Sequence, residues 1–222
     1  MRLVLASASP RRAELLRAAA LTFETLAVDL DESVRVGEPA AEYVRRLAAE
    51  KSAAAMRWLL GPANRLRQGD DGPAKAGHYV LSPARAGHYV QEPVVPHSDI
   101  VIVGADTAVV VDGEILGKPR DAGHAEVMLR RLAGRRHDVM SAVSVRTVET
   151  ELSNVETTAV YFADLSSADA SGYVASGEGR DKAGGYAIQG LASRFIVRID
   201  GSYSNVVGLP IACLLELLRK LG

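Results

Sequence analysis

The sequence predicts an α/β protein built on one mixed sheet. Three observations carry this. Apolar runs of strand length alternate with amphipathic helical patterns in the order βαβα and then, after an irregular stretch, ββαββαβα. The chain has 222 residues, enough for one ordinary domain or two small ones. A chain of this size buries about 70% of its unfolded surface. Hydrophobic residues make up 48% and charged residues 24%, a globular composition that excludes global disorder.

The elements follow in order. Residues 2–6 (RLVLA) have the length of a buried strand, and Ser9 with Pro10 then opens a helix as N-cap and first turn. Residues 22–28 read as a second strand, followed by the acidic loop Asp29–Leu30–Asp31–Glu32–Ser33. Pro39 opens a second helix with Tyr43, Val44, Leu47 and Ala48 on its apolar stripe, and Gly61 with Pro62 stops it. Residues 62–98 are dense in Pro and Gly and repeat AGHYV at 76–80 and 86–90. Two copies are too few for a solenoid, so this is expected to be an inserted loop or short hairpin. The run IVIVGADTAVVVDG reads as two strands with an acidic break at Gly104–Ala105–Asp106–Thr107, closed by an Asp112–Gly113 turn. Asp121 caps a helix through Leu132. Residues 138–148 and 152–164 read as a long antiparallel pair, and Ser166 with Asp169 forms a capping box. A Gly-rich stretch at 177–194, a strand at 195–199 and a last helix from Pro210 to Leu221 complete the chain.

Composition excludes several functions. Lys and Arg total 26 against 27 Asp and Glu, so bulk charge does not favour nucleic acid, although a local basic pocket is allowed. Aromatic residues at 5% argue against stacking platforms for single strands. The lone Cys213, read as a core residue, excludes an internal disulfide or a multi-thiolate metal site. No apolar run approaches the ~20 residues that span a bilayer. The apolar start meets Pro10–Arg11–Arg12 too early for a signal peptide. A soluble protein of a reducing compartment is expected.

Candidate chemistry sits in four places. Ser7-Ala8-Ser9-Pro10-Arg11-Arg12 puts hydroxyls and guanidiniums at a helix N-terminus, which suits either phosphate binding or a capped helix with solvated arginines. Asp106 is expected at the carboxyl end of a buried strand, where an ionised acid needs a metal, a cation or a proton to transfer. Gly117-Lys118-Pro119-Arg120-Asp121 places cations before another helix, and Glu32 lies in an acidic loop able to share a hard divalent cation with phosphates. Lys51, taken alone, reads as a surface lysine. In DKAGGYAIQG, Gln189 carries an acceptor and two donors for a base edge, and Gly184, Gly185 and Gly190 let backbone come close. His78 and His88 fall in the repeat and His97 beside it, without metal spacing, and His124 and His137 read as surface. Phosphate plus acid suggests metal-assisted hydrolysis by an activated water.

LASASPRRAELL, VGADTAVVVDGEILGKPRD, SGYVASGEGRDKAGGYAIQG and GSYSNVVGLP occur in that order over nearly the whole chain except about 62–98. Together they resemble the Maf family of nucleoside triphosphate pyrophosphatases. The resemblance implies one two-lobed α/β domain over 1–222 with a cleft, similar to inosine triphosphate pyrophosphatases, and a cytoplasmic homodimer. It implies Asp106 as proton acceptor and, with Glu32, as a ligand of Mg²⁺ or Mn²⁺. Arg11, Arg12, Lys51 and Lys118 match the cationic set around a triphosphate, and Ser7 and Ser9 the hydroxyl loop. Arg11, Thr107 and Gln189 match positions that set base choice. Arg11 directly after Pro10, where the 7-methyl-GTP type carries a tryptophan, points to the dTTP/UTP type, which releases pyrophosphate and leaves the monophosphate. Two other readings stand beside it: a nucleotide-binding regulator of cell division, and the same chemistry on methylated-guanine or inosine triphosphates. The family's connection between Lys51 and Gly104 is far shorter, so the insertion is expected to loop out.

Overall fold

The computed structural model describes residues 1–61 and 99–221. The expected insertion at about 62–98, with His78, His88 and His97, lies outside the described residues. The elements are β1 (Arg2–Ala6), α1 (Pro10–Ala18), β2 (Glu24–Thr25), α2 (Ala40–Leu60), β3 (Ile100–Val111), β4 (Glu114–Leu116), α3 (Ala122–Leu132), β5 (Arg136–Arg146), β6 (Glu151–Phe162), α4 (Ser167–Ser176), β7 (Ile196–Asp200), α5 (Tyr203–Val207) and α6 (Ile211–Arg219). Among the described residues, seven strands form one sheet in the order β2-β1-β3-β5-β6-β7, with β4 pairing on β3. β1 runs parallel to β2 and β3, and the remaining pairs are antiparallel, so the sheet is mixed as expected.

The main correction concerns β3. The expected acidic break does not exist: Ile100–Val111 is one 12-residue strand, and Asp106 lies in its middle rather than at a carboxyl end. Gly104 and Asp106 disfavour strands locally. Here each has a compensating partner, a closely packed helix for one and an ammonium for the other. The expected strand at 22–28 shrinks to the two ladder residues Glu24 and Thr25. The short helix α5, capped by the Ser202 side chain on Asn205 N, falls in a stretch with no apolar period to announce it.

Two large apolar clusters share the long strands. One joins Leu3, Leu5, Val101, Val103 and Ala105 to Leu16 of α1 and Leu214 of α6. The other joins Val109, Val111, Val139 and Val160 to Leu129 of α3 and Tyr173 of α4. Thr107 falls at the seam between them, while Asp106 points to the other face of β3, where Ala108 packs with Val44 and Ala48 of α2. Cys213 is buried in the first cluster, as expected.

His137 is a second correction. It is 3% exposed, not on the surface. Its Nε2 lies 2.7 Å from the Tyr186 hydroxyl, and Phe162 packs edge-on at 5.0 Å between centroids. Burial pushes its pKa down to about 4. The unfolded chain, with an ordinary His pKa near 6.5, therefore binds the proton that the folded chain refuses between these values. Stability is expected to be full above pH 6.5 and to fall by up to about 3 kcal/mol as pH drops toward 4. Urea titrations across that range check this; a His137→Gln variant should show a flatter profile, and an unchanged slope would contradict it.

Candidate active site

Lys51 is the centre of the arrangement. It sits on α2, and its side chain is 8% exposed, so the surface reading of an isolated helical lysine is corrected. Its Nζ lies 2.6 Å from Asp106 Oδ1 and 2.6 Å from Glu32 Oε1. Lys118 reaches the other oxygen of the same carboxylate, at 3.4 Å from Glu32 Oε2. Two acids and two lysines from four segments thus form one chain of charge.

Each member is placed for a local reason. Gly104, two residues before Asp106, lets α2 lie directly on β3: a Cβ there would collide with the Ala48 carbonyl oxygen and come 2.8 Å from Ser52 N. That approach brings Lys51 onto Asp106, and it is locked behind by Ser52 Oγ at 2.8 Å from Ser144 Oγ and 3.0 Å from Arg146 Nε. The Glu32 loop is tied to the same helix. Tyr43 OH donates to the Glu32 carbonyl at 3.0 Å, and Arg46 donates to the Ser33 carbonyl at 3.1 Å and to Glu38 at 2.6 Å. Burial alone would push the Glu32 carboxyl up, but the hydrogen bond and charge of Lys51, with Lys118, outweigh it and hold the group below its ordinary range.

The opposite face of β3 carries a second group. Period-two geometry turns Thr107 away from Asp106, toward α1 and α5. Arg12 there donates to the Ala105 carbonyl at 2.8 Å, the Gly208 carbonyl at 2.8 Å, Thr107 Oγ1 at 3.2 Å and Ser7 Oγ at 3.3 Å. Burial lowers the Arg12 pKa against the fields of Asp106 and Glu32, but a guanidinium keeps its proton throughout the ordinary pH range. Ser7 is buried and its Oγ also accepts Ser9 N at 3.1 Å. Ser9 occupies the N-cap position of α1 but its side chain makes no cap bond, which corrects the expected side-chain cap. The α1 N-terminus therefore combines uncapped first-turn N–H groups with Arg11 and Arg12, an arrangement suited to a bound phosphate.

The predicted base-choosing residues do not meet. Thr107 hydrogen-bonds Arg12, Ser141 and the Gly208 carbonyl, not Arg11 or Gln189. Burial lowers the Arg11 pKa, and the fields of Asp181, Glu14 and Glu178 partly offset it. Gln189 is exposed at the tip of a turn closed by Gly190 N on the Ala187 carbonyl at 3.3 Å. The glycine-rich segment does reach the Lys118 loop, through Gly184 N on the Gly117 carbonyl at 3.0 Å. A cavity of about 330 Å³ opens between Pro119–Ala122, Tyr173–Val174 and Gly179–Arg180; Arg120 and Gly185 of the candidate segments line it, but Asp106, Lys51, Lys118, Glu32 and Gln189 do not. Sequence reasoning missed Tyr43, Arg46 and Ser141. Ser141, a small polar residue inside an apolar strand, was the detectable one.

The two carboxylates converge on one cationic atom, so their oxygens are already oriented to share a positive charge. Among the described residues no group of three or more His, Cys, Asp and Glu side chains could hold a metal ion. Two hard oxygen donors beside basic side chains suit Mg²⁺ or Mn²⁺, which complete their shells with phosphate oxygens and water. Among the described residues no helix is long and apolar enough to cross a membrane.

A family model described as "Maf-like protein" matches residues 2–221. A protein of Methylococcus capsulatus named dTTP/UTP pyrophosphatase is 40% identical, with 100% of this chain and 92% of its own length aligned. Proteins of the same name from Anaeromyxobacter dehalogenans and Shewanella oneidensis are each 43% identical over 100% of this chain, covering 94% and 99% of their own lengths. The solved structure of the Staphylococcus aureus Ham1 protein overlaps 74% of this chain and 73% of its own, at 14% identity and a TM-score of 0.42.

Proposed function

The chain belongs to the Maf family, and from that premise we propose that it hydrolyses nucleoside triphosphates, dTTP and UTP foremost, to the monophosphate and pyrophosphate. The observation that carries this is the Lys51 ammonium held at 2.6 Å by both Glu32 and Asp106, with Lys118 and the α1 arginines as further cations. Mere binding of a nucleotide does not need a buried carboxylate in that position, so the division-regulator reading is not favoured.

Asp106 is the proposed proton acceptor. In the resting protein Lys51 neutralises it. An arriving triphosphate gives Lys51 a competing anion, and the Asp106 carboxylate is then able to take a proton from water attacking the α-phosphorus in line. Lys118, Arg11 and Arg12 stabilise charge developing on the departing pyrophosphate, with Ser7 and the α1 N-terminus as hydrogen-bond donors. Glu32 and Asp106 would hold Mg²⁺ or Mn²⁺, which when bound neutralises phosphate charge and polarises the reacting phosphoryl group. Cytoplasmic, homodimeric action is proposed from the family resemblance.

Gln189 is the proposed base reader. Thymine and uracil offer two carbonyls and an N3–H on one edge, and one amide both donates and accepts. Cytosine reverses part of that pattern, and purines are larger. Pyrophosphate release from dTTP, UTP, CTP, ATP and GTP, with and without Mg²⁺, tests the function. Expected are dTTP and UTP well above the others, dependence on the metal, and loss of the pyrimidine preference in Gln189→Ala by about tenfold. A purine preference in the wild type, or full preference in the variant, would refute the assignment.

A further inference from the structure

The turn that carries Gln189 is held at its two ends by a linked pair of side chains, Tyr173 and Glu178. Glu178 follows the left-handed Gly177 that ends α4. Its Oε2 accepts Leu191 N at 2.8 Å, and its Oε1 accepts Tyr173 OH at 2.9 Å and Ala192 N at 3.4 Å. The same tyrosine oxygen accepts Ala187 N at 3.1 Å. Ile188 and Gln189 are therefore the short free span between two feet, Ala187 on the Tyr173 hydroxyl and Leu191–Ala192 on Glu178, and these two side chains are themselves hydrogen-bonded. Gly190 is required for this closeness, since a Cβ there would collide with the Glu178 carboxylate. A second tie, Tyr186 OH to His137 Nε2 at 2.7 Å, fixes the residue before the first foot to β5.

Arg11 on α1 lies mainly in the field of Asp181, with Glu14 and Glu178 contributing less. Burial would raise the Glu178 pKa, but bonds from Leu191 N, Tyr173 OH and Ala192 N, with the charge of Lys182, keep it low, so the carboxylate is ionised at neutral pH.

We propose that Glu178, acting with Tyr173, is a positioning residue for base choice: it fixes the Gln189 turn without touching the nucleotide. This rests on the pyrimidine triphosphate reading above. A carboxylate that merely stabilised the fold would alter turnover of every nucleotide alike. A positioning role separates the bases, because only interactions with the base edge depend on where the Gln189 amide stands.

The test uses the full chain with Tyr173→Phe and Glu178→Gln. KM and kcat are measured separately on dTTP, UTP, CTP, ATP and GTP, alongside amide hydrogen exchange of Ala187, Leu191 and Ala192. Losing a buried acceptor is expected to raise KM for dTTP and UTP about tenfold, keep kcat within about twofold, and cut the dTTP-to-GTP efficiency ratio about tenfold. The three amides should exchange faster. A folded variant with faster exchange and an unchanged dTTP-to-GTP ratio overturns the proposal, as does an equal fall in kcat for all five. If Glu178→Gln does not fold, Tyr173→Phe, which loses a single oxygen, decides the matter by the same criteria. Wild-type protein that releases pyrophosphate from none of the five overturns the nucleotide reading itself; the exchange rates then still judge the clamp.

Discussion

Asp106→Asn should leave about 1% of wild-type turnover or less. The amide preserves the shape of the side chain but accepts no proton, and a positioned base contributes roughly 10²–10⁴-fold. At about 1.4 kcal/mol per tenfold, that is on the order of 3–5 kcal/mol of barrier. The variant should still fold. Lys51 keeps its second partner, Glu32 Oε1 at 2.6 Å, so the ammonium is not left buried without an anion. Measuring kcat at saturating dTTP and metal, with a thermal melt as control, separates the two effects. Half the wild-type rate in a folded variant would remove Asp106 from the chemistry.

Gly104→Ala should damage both stability and rate through a single methyl group. The new Cβ would meet the Ala48 carbonyl and lie 2.8 Å from Ser52 N. These are helix backbone atoms, which cannot rotate aside as a side chain does. α2 must lift from β3, and Lys51 must move with it. Overpacking of this kind costs about 1–3 kcal/mol. For a chain of this length the midpoint of thermal unfolding should fall by roughly 3–10 °C. Displacing a catalytic partner by about 1 Å costs on the order of 10²-fold in rate, and a drop of that size is expected here. Gly172→Ala on α4, where an added Cβ meets nothing within 4 Å, is the control and should leave both quantities near wild type. Equal melting curves and rates for the two variants would show that α2 does not depend on that close approach.

Much of this was legible in the residues. The strand at 2–6, the Asp112–Gly113 turn, the Asp121 cap and the Ser166–Asp169 box are local signals, and all appear in the structure. The rest depended on partners far along the chain. Gly104 and Asp106 look like a break because neither suits a strand alone; what admits them is α2, which starts some 60 residues earlier. Lys51 looks exposed because one helical lysine carries no sign of the acid 55 positions away that it pairs with. His137 looks exposed for the same reason, its partner Tyr186 being 49 residues on. Asp106, Glu32 and Lys118 were recognisable from motif context, and the structure gathers them around Lys51. Thr107, Arg11 and Gln189 were grouped by resemblance alone, and no hydrogen bond joins the three to one another.

The unbroken course of β3 has a consequence for how this scaffold diversifies. The proposed proton acceptor, Asp106, lies within one unbroken 12-residue strand that is mostly buried. The turn bearing Gln189 hangs instead from α4 and its succeeding residues, a separate cassette fastened by a few bonds. On the proposed roles of Asp106 and Gln189, chemistry and selectivity therefore have separate mechanical mounts. A lineage can rewrite the cassette, in length or in side chain, while the strand and its proton-handling geometry pass unchanged from one substrate preference to the next.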